Sequence, residues 1–222
     1  DLSPEAAQEI KSLLNAEPFD ELRLCNCARN HLLSIIGTFP AEWDLIIAPH
    51  ESPLDENGIV KPEDVENAIK DNTALVTIMY ANNEIGTIQP IAEIGAVCKK
   101  HGVLFHTDAV QAFGKLDFKV KKLGADLLTV SAHKVHAPKG CGALYIKKGV
   151  RILPRQTGGE QEKRIRSGTE PLPAIAAFGV ACTEFDIAKN LALVSELNNY
   201  AREKLTQIDG FVFVVHKGYC VI

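Results

Sequence analysis

Apolar residues recur along this chain in short blocks of two different periods, and the blocks alternate. Ala74 to Tyr80 is β-rich and almost continuously apolar, the pattern of a strand covered on both faces. Ile91 to His101 places its apolar residues at helical spacing and meets Gly102, a residue suited to closing a helix. Val103-Leu104-Phe105-His106, Leu127 to Ser131 and Gly142 to Ile146 then read as three further buried strands. Upstream, Ser3-Pro4-Glu5 supplies a hydroxyl cap, a first-turn proline and an acid near the positive helix end. A surface helix follows, expected to end near Ala16, with Ile10, Leu13 and Leu14 on one face. Pro62 to Lys70 is a second helix and Leu45 to Ala48 a short strand, whereas Ala28 to Phe39 fits neither period. Late in the chain Ile175 to Phe185 and Leu191 to Leu205 are helical in pattern, with Leu191, Val194, Leu197 and Leu205 as core candidates. Phe211 to Val215 then returns to strand.

Strand and helix in alternation predict an α/β fold with a mainly parallel central sheet flanked by helices. Neither internal repeats nor low-complexity tracts interrupt it. At 222 residues and 46% hydrophobic content the chain can bury a sizeable core. Its formal net charge of -4 is interspersed, which argues against a nucleic-acid or membrane partner and leaves small molecules as the expected class. No apolar run reaches the roughly 18 residues of a membrane span, and Asp1-Leu2-Ser3-Pro4-Glu5 lacks a basic signal-peptide start, so a cytoplasmic protein is expected. Six cysteines are spread widely, as reduced thiols would be. Cys25 and Cys27 stand alone as a C-x-C pair, and no metal site is expected from them.

Ligands of open α/β sheets bind outside the carboxyl ends of the strands. The residues following three of the expected strands are Ala81-Asn82-Asn83-Glu84, Thr107-Asp108-Ala109-Val110-Gln111 and Ser131-Ala132-His133-Lys134. An amide, a carboxylate and an amine thus converge on one sheet edge. A partly buried lysine is a usable amine that can condense with an aldehyde. A carboxylate facing it can hold a proton on a pyridine nitrogen, keeping the ring able to accept carbanion charge. Lys134 and Asp108 have the chemistry that pyridoxal phosphate requires, Gln111 is placed to bond a ring hydroxyl, and Ser131 and His133 offer donors to a phosphate. Taken singly, Asp108 and Lys134 could instead bond neighbouring backbone ends. His106, inside a strand, reads as a satisfied core histidine, and His31, His50, His101 and His216 as surface residues. Gly158-Gly159 reads as a turn and Glu162-Lys163-Arg164 as a solvated face.

Five ordered stretches resemble the cysteine desulfurases of the class V aminotransferase group. They are Asp55-Glu56-Asn57-Gly58, the run Tyr80 to Ile91, Phe105 to Gln111, His133-Lys134 with Pro138-Lys139-Gly140, and Arg166-Ser167-Gly168-Thr169. The resemblance implies pyridoxal phosphate fold type I, with 1–172 as the cofactor-binding large domain. Residues 173–222 would supply linking helices and the start of a smaller C-terminal α+β domain. It implies that Lys134 carries pyridoxal 5'-phosphate as a Schiff base and shuttles the proton, with His133 beside it in the catalytic pair. Asp108 would pair with the pyridine nitrogen, Gln111 with the ring oxygen, Asn83 with the cofactor and substrate side, and Ser131 and His133 with the phosphate. Thr169 would reach the phosphate of a partner subunit in a homodimer. The implied reaction turns L-cysteine into L-alanine and passes sulfur on as an enzyme persulfide, toward iron-sulfur cluster assembly or another sulfur-transfer pathway. A sulfur-acceptor or scaffold protein would then be a further partner.

The sequence also departs from that family. The first 60 residues hold no Gly/Ser/Thr-rich phosphate seat, and no histidine matches the one that stacks on the ring. Val221-Ile222 is reached before the region of the sulfur-accepting cysteine and the carboxylate-binding arginine, and Cys220 lacks the serines that surround that cysteine. His136 and Ala137 stand where relatives carry an aromatic residue and a glycine. Two other readings therefore stay open at this stage, an inactive relative acting as a scaffold or interaction module and a class V aminotransferase with another substrate.

Overall fold

Parallel strands need a crossover between them, and the helical segments of this sequence supply it. The computed structural model describes residues 4–14, 21–25, 44–47 and 54–213. Its strands are β1 (Glu21–Cys25), β2 (Asp44–Ile47), β3 (Thr73–Met79), β4 (Leu104–Asp108), β5 (Leu127–Ser131) and β6 (Gly142–Ile146). Its α-helices are α1 (Pro4–Leu14), α2 (Pro62–Ala68), α3 (Ile91–His101), the single turn α4 (Val120–Leu123), α5 (Leu172–Thr183) and α6 (Ile187–Leu205). The six strands form one sheet in the order β1-β6-β5-β4-β3-β2. From β2 to β5 every pairing is parallel, whereas β6 lies antiparallel to β5 and β1 antiparallel to β6. The sheet is therefore mixed at one edge. The connection from Ser131 to Gly142 holds only the short 3-10 turn Ala132–Val135, which is no crossover, so β6 must return alongside β5 in the opposite direction. β1 was not legible in Glu21-Leu22-Arg23-Leu24-Cys25, because five alternating residues at an edge give little signal.

Side chains alternate across the sheet and split the core in two. Val76, Ile78, Phe105, Leu128, Val130, Ala143 and Tyr145 join the larger cluster, which also takes Ile10 and Leu14 of α1 and Ile175, Phe178 and Cys182 of α5. Leu75, Leu127, Leu144 and Ile146 form the smaller cluster on the other face. His106 shares the parity of that second face and is fully buried. Its Nδ1 lies 2.6 Å from Thr77 Oγ1 and its Nε2 3.4 Å from Thr129 Oγ1, so the imidazole is satisfied by the two flanking strands. It is a core histidine, as its place in the strand implied.

Close backbone contact fixes the helices over the larger face. Gly102 ends α3 at φ 69° and Gly124 ends α4 at φ 70°, both in the left-handed region. Within α3, a methyl group on Gly95 would overlap the carbonyl oxygen of Leu123. His101 is exposed, as expected of a surface residue, and meets Glu66 of α2 at 2.8 Å, with Lys100 sharing the same carboxylate.

Three further expectations are corrected. No described side chain of α6 is buried, and Val194 and Leu197 are 40% and 58% exposed while Leu191 and Leu205 are half-buried, because no described segment covers that face. Residues 211–213 are irregular rather than strand, with the Phe211 and Phe213 rings edge to face at 5.1 Å, and 214–215 lie outside the described residues. The segment Ala28 to Phe39, His31, His50, Cys27, His216 and Cys220 likewise lie outside them. Glu162 is only 8% exposed, so the Glu162-Lys163-Arg164 cluster is not wholly a solvated face. All three residues have positive φ, which turns Glu162 inward in a loop closed by the Gln156–Arg166 bridge.

Replacing Gly95 by Ala should destabilise the protein by about 1–3 kcal/mol through overpacking against Leu123, read as a lower urea midpoint at unchanged slope. An unaltered midpoint would mean that α3 and α4 can part at no cost. Burial pushes the His106 imidazole down to about 3 from 6.5. The unfolded chain binds that proton near pH 6.5 and the folded chain does not, so the stabilisation is complete above about pH 6.5 and is lost as pH falls toward 3. His106→Gln should therefore show a shallower loss of urea stability between pH 7 and pH 5 than the parent chain. Equal slopes would sink this account.

Candidate active site

β3, β4 and β5 run parallel and end on the same edge, with Met79 opposite Asp108 and Asp108 opposite Thr129. The pairing continues one step further, since Tyr80 N donates to Asp108 O at 2.8 Å and Ala109 N to Thr129 O at 2.9 Å. Three loops consequently leave the sheet side by side, and they carry the residues singled out in the sequence.

In the first loop the turn is held by Asn82. Its Oδ1 accepts from Glu84 N at 2.8 Å and Ile85 N at 3.0 Å. Asn83 is left exposed. In the second, Asp108 is half-buried and its Oδ1 accepts from Val110 N at 2.9 Å. Burial raises its pKa, an effect that the Val110 N–H partly offsets. The local backbone bond is the bland role for an aspartate here, yet it occupies only one carboxyl oxygen. Ala109, Ala112 and Phe113 are buried beneath this loop, which places half-buried Gln111 at its rim. Gln111 Oε1 accepts from Lys115 Nζ at 3.0 Å.

The third loop presents the lysine. Buried Ala132 and Val135 anchor the 3-10 turn while His133 and Lys134 face outward, the first exposed and the second half-buried. Ser131 is buried, with its Oγ 3.3 Å from His133 Nδ1. Burial lowers the His133 pKa, helped by the charges of Lys134 and Lys139. The turn ends at His136 with φ 66°, and the His136 ring stacks on Phe185 at 5.7 Å between centroids. Gly114, at φ 74°, lets the second loop press against this turn, because a Cβ there would lie 2.6 Å from Val135 Cγ1.

A cleft of about 440 Å³ opens here, lined by Lys115, His133, Lys134 and His136 together with Phe185 and the start of α6. That volume suits a small molecule. Asp108, Gln111 and Ser131 belong to the loops that frame the cleft without lining it, and Asn83 and Thr169 do not line it either. Thr169 is exposed, on a loop tied by Ser167 Oγ donating to Gly159 O at 2.7 Å and Gly168 N donating to Gln161 Oε1 at 3.1 Å. Lys115 was missed in the sequence. Its signal was its position four residues after Gln111, visible only once both were known to lie on one turn. Pyridoxal phosphate needs an amine, an acid for its ring nitrogen and donors for its oxygens. A cleft-lining lysine, a desolvated carboxyl at the next strand end and a Ser–His pair beside the lysine fit that group.

Comparison with known proteins covers the same stretch of the chain. The family model described as aminotransferase class-V matches residues 48–219. Cysteine desulfurase IscS of Ehrlichia chaffeensis is 51% identical over 203 residues, covering 79% of this chain and 50% of its own. Cysteine desulfurase IscS of Clostridium botulinum is 49% identical over 158 residues, covering 71% of this chain and 38% of its own. The chain thus spans half or less of the length of these relatives. Among solved structures, a NifS-like protein from Rickettsia africae superposes with a TM-score of 0.88 at 30% identity, over 96% of this chain and 66% of that one. A second, SspA in complex with cysteine, gives a TM-score of 0.77 at 33% identity, over 90% of this chain and 65% of that one. With the family model matching most of its length and relatives of about half identity covering more than two thirds of it, the chain belongs to the class V aminotransferase family, in its cysteine desulfurase group.

Proposed function

We propose that this protein is a pyridoxal phosphate-dependent cysteine desulfurase that converts L-cysteine to L-alanine and hands the sulfur on as a persulfide. The observation that carries the proposal is Lys134, held by a rigid turn in a cleft, one strand away from the half-buried carboxyl of Asp108. When bound, pyridoxal phosphate would supply an electron sink for charge released at the substrate α-carbon. Lys134 would hold the cofactor through its amine and then move the α-proton. Asp108, desolvated, would keep a proton at the ring nitrogen, Gln111 would donate to the ring oxygen, and Ser131 and His133 would hold the phosphate. Asn83, exposed on the neighbouring loop, would face the substrate. That a relative of known structure is bound to cysteine supports the choice of substrate. Thr169, exposed on its tied loop, would serve a second copy in a homodimer, and a sulfur acceptor or scaffold protein would receive the product sulfur.

Sulfur transfer needs a thiolate. Burial pushes Cys98 up to about 12, Cys141 to about 11 and Cys182 to about 12, so these three remain thiols at neutral pH. They pack in the core and are not the sulfur acceptor.

Incubation with pyridoxal phosphate should give the protein a visible absorbance band, and Lys134→Ala should abolish it. The same substitution should cut release of alanine and sulfide from cysteine by about 10²–10⁴-fold or more. A colourless parent protein would overturn the proposal. Amino transfer to a keto acid without sulfide release would redirect it to an aminotransferase.

A further inference from the structure

One charged side chain in the cleft has no part in the chemistry above. Lys115 is half-buried, its ammonium donates to Gln111 Oε1 at 3.0 Å, and it lines the same cleft as Lys134. We propose that Lys115 is a positioning residue that fixes which end of the Gln111 amide faces the cofactor and sets a second positive charge beside Lys134. This inference rests on the cofactor reading given under Proposed function.

A glutamine amide has an accepting end and a donating end, and half a turn about its last bond exchanges them. Facing the ring oxygen of the cofactor, the NH2 end attracts and the carbonyl end repels. An ammonium carries donors only, so whichever end of Gln111 meets Lys115 must be its oxygen. With Oε1 held at Lys115, the NH2 end is left for the ring oxygen. The clamp is short and stiff, because Phe113 N donates to Ala109 O at 2.8 Å and Leu116 N to Ala112 O at 2.9 Å across the same turn. Gly114 seats that turn on Val135.

The charge of Lys115 is also felt. Burial, and then the charge of Lys134, lowers its pKa. The lysine turn adds His133 and His136 to the cleft wall, and α6 contributes Asn190 with Leu191, Leu193 and Val194. No carboxylate lines the cleft among the described residues, and Asp108 lies at the head of the second loop. A neighbouring ammonium disfavours the protonated, positively charged form of the lysine–cofactor linkage.

The test is the pH midpoint at which the visible band changes form, measured on the protein loaded with pyridoxal phosphate. Lys115→Met removes both clamp and charge and should raise the midpoint by about one unit. Lys115→Gln keeps a donor but no charge and should raise it less, while Lys115→Arg should restore the parent value. Circular dichroism identifies folded variants, and the Gln and Arg variants carry the test should the Met variant not fold. A retained band whose midpoint is the same in the Met or Gln variant as in the parent overturns the role of Lys115 alone. A parent protein without any band overturns the cofactor reading beneath it.

Discussion

Ser131 pairs with Gly142 across an antiparallel ladder, and that pairing forces the chain to leave and re-enter the sheet within one short turn. The arrangement of the site depends on this constraint. A crossover helix at this point would have carried the lysine away from the sheet. The return instead pins Ala132 and Val135 in the core, with Ala132 N bonded to Cys141 O at 3.1 Å, and leaves His133 and Lys134 facing out. The antiparallel edge and the outward-facing lysine are two results of one connection.

The neighbouring parallel strands answer that turn with polar groups at fixed heights. Their register sets Asp108 level with Thr129, two residues before Ser131, so acid and lysine emerge from adjacent loops without any bond between them. Electrostatics then divide the molecule. Around the sheet, burial keeps the imidazole at His106 uncharged and the thiols of Cys98, Cys141 and Cys182 protonated. The cleft instead holds the charges of two lysines, Lys115 and Lys134, which favour an anionic ligand there.

Contacts that only glycine permits join these layers. Gly114 brings the Gln111 loop onto the lysine turn, and Gly179 brings α5 to within van der Waals reach of Ala6 in α1. His136 accepts a left-handed conformation at the end of the lysine turn and gains a stacked partner in Phe185.

Strands β2 to β6, helices α1 to α3, α5 and α6, and the order of the loops were legible in the sequence. Apolar period and glycine or proline punctuation act locally, over one element at a time. That Asp108, Gln111, Ser131, His133 and Lys134 gather at one sheet edge was legible too, since a strand end followed by polar residues marks a ligand edge in this fold class. Other features depended on which segments meet. The direction of β6 follows from the length of a connection, the pairing of β1 from an edge far away in sequence, and the exposure of α6 from the absence of any described segment over it. Glu162 turns inward through three positive φ angles that its charge pattern did not signal. Lys115 acquires a role only through its 3.0 Å bond to Gln111 and its place in the cleft. Periodicity determines how a segment folds, while the partner of each face and of each polar atom is decided by the packing of distant segments.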